Sequence, residues 1–123
     1  MQHAATPEEL ESPYGQVGLK FSLALLNGQY DQAYAHLGSE LRGQWSPALL
    51  QDAYEGMVDY FTNPATSVSV ELVDILDIEP SEELEDVMVY VSIVGDGNVE
   101  AVTLFVGREA ERYVIQELEL GRP

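Results

Sequence analysis

From Tyr14 the apolar positions Val17, Phe21, Ala24 and Leu25 recur at helical spacing, and Leu19, Leu23 and Leu26 form a second stripe beside them. So wide an apolar arc predicts a helix largely enclosed by the fold. Pro13 suits its first turn, and Asn27-Gly28 marks its end. A second helix is expected from about Gln29 to Gly38, with Tyr30, Ala33, Tyr34 and Leu37 on one face. Ser39 to Gly43 reads as an extra turn. Ser46-Pro47, a capping hydroxyl followed by proline, starts a third helix running to about Phe61. Leu50, Tyr54, Met57, Val58 and Phe61 would line its buried face. Gly56 costs this helix about 1 kcal/mol relative to alanine, so close approach of another element is expected there.

After Asn63-Pro64 the period changes from 3.6 to 2. Val68, Val70 and Leu72 alternate with Ser69 and Glu71. Asp74 then falls where an apolar residue is due, which predicts a long strand with a bulge near Asp74. Val87–Val94 and Val99–Val106 read as a hairpin around Gly95-Asp96-Gly97-Asn98. Placing Val94 opposite Val99 pairs Val91 with Val102, Val89 with Leu104 and Val87 with Val106, one coherent apolar face. The other face pairs Met88 with Phe105, Tyr90 with Thr103 and Ser92 with Ala101, too apolar for a face simply open to water. A fourth strand follows from Arg112 to Leu120. Its register stays ambiguous: either Val114, Leu118 and Leu120 face the helices, or Tyr113, Ile115 and Glu117 do.

The length of 123 residues suits one domain, an α+β arrangement of three N-terminal helices packed on a curved four-stranded antiparallel sheet. Residues 1–12, with Glu8, Glu9 and Glu11, read as a flexible acidic arm before a single domain over 13–123. With 22 acidic and 5 basic side chains the net charge is −17. Phosphate neutralisation needs clustered Lys and Arg, so nucleic acid is not an expected partner. No apolar run reaches the ~18–20 residues of a membrane span, so no membrane partner is expected either. Met1 to Leu10 does not resemble a secretory signal, and with no cysteines the expected location is the cytoplasm. Asp77 to Asp86 holds six of the acids. A solvated loop, a docking site for a basic protein and a weak cation site are all open readings of that run.

The order of elements, and above all Phe21–Leu37 (FSLALLNGQYDQAYAHL), resembles the nuclear transport factor 2-like superfamily, a cystatin-like α+β cone. The matching positions are Asn27, Gly28, Tyr30, Ala33, Tyr34 and Leu37. The resemblance covers about residues 14–120 and implies a pocket between the helices and the inner sheet face. It also implies dimerisation through the outer face, for which Met88, Tyr90 and Phe105 are the interface candidates. Members range from steroid and polyketide isomerases and dehydratases to oligomerisation modules and transport adaptors, so no reaction carries over.

Isomerase-type chemistry would need a carboxylate with a shifted pKa in an apolar pocket, beside a hydrogen-bond donor. Asp74 and Glu117 are the catalytic candidates, with Tyr34, Trp45 and Tyr54 as pocket-lining candidates. Each also has a plain reading: a bulge carboxylate, an exposed edge, core packing, a packing staple. His36 falls off the apolar stripe and is expected in solvent, and no ligand set for a metal is formed. Asp96, Asn98 and Glu100 mimic a calcium loop, but Ala101 stands where its glycine is required and Gly107 where its bidentate acid belongs. No cofactor motif or enzyme signature is present. The leading expectation is a non-catalytic binding or oligomerisation domain, a homodimer engaging a basic protein partner. A small-molecule isomerase or dehydratase and an acidic inhibitor or immunity-type protein are the alternatives.

Overall fold

A computed structural model of the protein describes residues 12–61, 65–73 and 87–121. The helices are α1 (Pro13–Leu26), α2 (Tyr30–Ala35), α3 (Ser39–Arg42) and α4 (Pro47–Val58), and the strands are β1 (Ser67–Val73), β2 (Val87–Gly95), β3 (Asn98–Glu109) and β4 (Arg112–Leu120). The strands form one antiparallel sheet in the order β1-β2-β3-β4, and α1 packs across all four. This is the α+β class expected. The acidic segment Asp77–Asp86, Asp74 and the arm before Ser12 lie outside the described residues.

Both long helices start as their sequences direct. The Ser12 hydroxyl accepts from the Gly15 N–H at 3.2 Å ahead of Pro13, and the Ser46 hydroxyl accepts from the Leu49 N–H at 3.1 Å ahead of Pro47. Each caps one of the donors a helix start leaves unpaired. Helix α1 buries Gly15, Gly18, Ser22 and Leu25, positions three or four apart that share one face. The small residues let its backbone approach the sheet closely. Gly56 has no such role, since nothing lies within 4 Å of where its Cβ would stand. The close approach expected there is absent. The glycine that serves one is Gly18.

The β2–β3 register matches the expectation throughout, from Val87↔Val106 to Val94↔Val99, with Gly95 and Asn98 closing a tight Asp96-Gly97 turn. Val87, Val89, Val91, Val102, Leu104 and Val106 are all buried under the helices. The β1 irregularity falls between Val70 and Leu72, earlier than Asp74. With Glu71 as the extra residue, Val73 comes opposite Val89 and is fully buried. The apolar demand at Val73 outweighs strict alternation from Val68 to Leu72.

A second bulge resolves the ambiguity of β4. Phe105 pairs with Glu117 and Val106 with Ile115, leaving Gln116 as the extra residue. Leu118 and Leu120 stand opposite Leu104 and Val102 and are partly buried, while Ile115, of the other parity, is fully buried. Each of the two registers is right on its own side of the bulge. Glu117, by contrast, is placed opposite Phe105 and is exposed.

Candidate functional site

The edge of β4 is partly covered by the turn that follows α2. Leu37 makes a parallel bridge to Ile115, built from Gly38 N–H to the Ile115 carbonyl and Ile115 N–H to the His36 carbonyl, both 2.8 Å. Gly38 sits closely against β4: a Cβ there would stand 3.3 Å from the Val114 Cγ2 and 2.8 Å from the Gln116 amide oxygen, the mobile end of a long side chain. Helix α3 is then anchored by Glu109, whose carboxylate accepts from both the N–H and the hydroxyl of Ser39 at 3.0 Å. Those two hydrogen bonds hold the Glu109 pKa below its ordinary value.

Beyond this bridge, from Glu117 to Leu120, no strand pairs with the outer side of β4 among the described residues. An open groove of about 480 Å³ runs beside it. Leu41, Gln44 and Trp45 form one wall, and Phe105, Glu117, Leu118 and Glu119 form the other. Trp45 is half-buried, packs against the core and continues into a shallow apolar patch with Leu49, which is 49% exposed. The groove therefore combines a free strand edge, apolar walls and two exposed carboxylates.

The pocket-lining candidates do not converge on a carboxylate. Tyr54 is buried in the core, and burial, with Tyr30 beside it, pushes its phenol up to about 12. The Tyr34 hydroxyl donates to the Arg42 carbonyl at 3.0 Å. Glu117 shares a groove with Trp45 but with neither tyrosine. The inner sheet face, where the resemblance implies a pocket, is filled by core side chains from Val70 to Ile115. Met88, Tyr90 and Phe105 stand together on the opposite face, each half-buried.

A second open groove, about 330 Å³, lies between the start of α1, the end of α2 and the start of β4, with Lys20, His36, Arg112 and Tyr113 among its walls. His36 is half-buried here and not in free solvent as expected. Desolvation, then Lys20 and Arg112, lower its pKa. The signal for this cluster in the chain is faint: one lysine and four arginines in all, brought together only by the fold. No group of three His, Asp or Glu side chains suited to a metal occurs among the described residues, and no described helix is long and apolar enough to cross a membrane.

Comparison with family models, curated proteins and solved structures finds no match to this chain.

Proposed function

We propose that the protein is a non-catalytic binding domain that takes an extended, basic segment of a protein partner along the free edge of β4. The observation that carries this reading is the coincidence, in one groove, of a strand edge unpaired among the described residues with Trp45, Leu41 and Phe105 and with Glu117 and Glu119. An extended segment laid there would gain main-chain hydrogen bonds from β4, and alternate side chains would reach the apolar wall. Its Lys or Arg side chains would meet the two carboxylates. The same carboxylates disfavour edge-to-edge pairing of two copies, since antiparallel self-pairing sets like charges near one another. An inhibitor or immunity-type protein is the special case in which the basic partner is an enzyme. The order of helices before a four-stranded meander supports placing the domain in the nuclear transport factor 2-like superfamily. The isomerase alternative finds no support in Glu117, which lies outside the core.

A homodimer through the outer face is a second reading, supported by the apolar pair Met88–Phe105 and the neighbouring Tyr90 on the face away from the core.

Trp45 is the single tryptophan of the chain, so its fluorescence reports on the groove directly. Titration with an alternating Lys-Val octapeptide should change its emission saturably, and binding should weaken as salt is added. A Glu-Val octapeptide should leave it unchanged, and E117K/E119K should abolish the response to Lys-Val. No response to the basic peptide, or binding undiminished in the double variant, overturns the proposal.

A further inference from the structure

In a chain of net charge −17, two of its five basic residues and the only histidine of the described fold line one groove. Lys20 comes from α1, His36 from the turn after α2, and Arg112 from the first position of β4. Solvated basic residues in an acidic protein would gain most by spreading among its carboxylates. Lys20 instead makes no ion pair with a carboxylate among the described residues, and both it and Arg112 stand near enough to His36 to oppose a proton there. Arg112 is held in place: its Nη2 donates to the Ala35 carbonyl at 3.1 Å, the same carbonyl that accepts from Arg42 Nη2 at 2.9 Å. Of the five guanidinium N–H donors of Arg112 that bond uses one. Tyr113 adds an aromatic wall, fixed edge-on against Tyr14 with ring centroids 5.1 Å apart.

We infer that this groove is a binding site for a small organic anion, its oxyanion head held by Lys20 and Arg112 and its apolar body laid against Val17 and Tyr113. The arrangement is a fork and a point charge converging from two elements, which suits a phosphate or carboxylate oxygen pair. His36 completes the site as a group that gains a proton when the anion arrives, since a nearby negative charge favours its cationic form. Around His36 the charged groups are Lys20 from α1 and Arg112 from β4. The volume admits a head group and one ring. The site is separate from the β4-edge groove and independent of the function proposed for it.

The test is a titration of the intact protein with phenyl phosphate, followed through the His36 imidazole resonances by NMR, against sodium chloride of matched ionic strength. Saturable shifts and a raised His36 pKa in phenyl phosphate alone are the expected result. Lys20→Met, an exposed substitution, should weaken binding about tenfold, the scale of one charge-assisted hydrogen bond. Benzoate in a parallel arm distinguishes the head groups: stronger binding of either assigns it. Resonances that superimpose in chloride, phenyl phosphate and benzoate overturn the inference, as does binding unchanged in Lys20→Met with the fold intact by circular dichroism.

Discussion

Gly18 of α1 lies against Val89 of β2 so closely that a Cβ at this glycine would stand 2.6 Å from the Val89 Cγ1. Val89 is fully buried and paired on both sides, to Val73 and Leu104, so it has little room to yield. Gly18→Ala should therefore destabilise the protein by about 1–3 kcal/mol through overpacking, despite alanine's better helix propensity. Gly56→Ala, in a helix with nothing within 4 Å of the added methyl, should stabilise by up to ~1 kcal/mol. Urea unfolding of the two variants checks the opposite signs.

The same contact explains what the chain reveals unaided and what it hides. The β2–β3 pairing is legible because a short Gly-rich turn joins two strands whose apolar parities can be matched in only one sensible way. The bulges at Glu71 and Gln116 are not, because each is placed by partners distant in sequence: Val89 claims Val73, and Val106 claims Ile115. A parity break at Asp74 signals an irregular strand but not its position. Trp45 and Glu117 are both visible in the sequence as candidates, though for a pocket with Tyr34 and Tyr54 and not for an edge groove. The Lys20–His36–Arg112 cluster has no local spacing to betray it, since its members are joined only when α1 and the α2–α3 turn dock on β4. Helix starts, by contrast, are local chemistry, and Ser46-Pro47 could be read directly.

Ser22 is completely buried on the sheet-facing stripe of α1, and its hydroxyl finds no partner among the described residues. A buried polar atom left unbonded costs about 1–3 kcal/mol. Ser22→Ala removes it with almost no change of volume and adds helix propensity. The variant should unfold at higher urea concentration than the parent. Ser22→Val should be destabilising, because the extra methyl enters the interface that Gly18 keeps tight.

The outer sheet face carries the dimer reading. On that reading the parent chain should scatter as a dimer, and Tyr90→Asp together with Phe105→Asp should scatter as a monomer. Glu117 and Glu119 flank that face on β4, so the dimer should tighten as salt screens their repulsion. Binding of a basic peptide at the β4 edge should weaken over the same salt range. The opposed salt dependences separate the two readings without any substitution, and a parent chain that stays monomeric at high salt removes the dimer.

Two side chains show how stability bends with pH, one at each end of the scale. Burial, Lys20 and Arg112 lower the folded pKa of His36 below its ordinary 6.5, so the unfolded chain takes up a proton first as pH falls. The stability His36 contributes is then fully present above pH 6.5 and declines as pH drops from there through the folded value. Tyr54 works at the other end. Its folded pKa is pushed from 10.0 to about 12, so the unfolded chain loses the proton first as pH rises. The stability it contributes is complete below pH 10.0 and falls away toward about 12. Chemical denaturation across pH should show His36→Gln flattening the acid-side decline and Tyr54→Phe flattening the alkaline one. A bound organic anion should also reduce the His36 decline, because by favouring the charged imidazole in the folded state it moves the folded pKa back toward that of the unfolded chain.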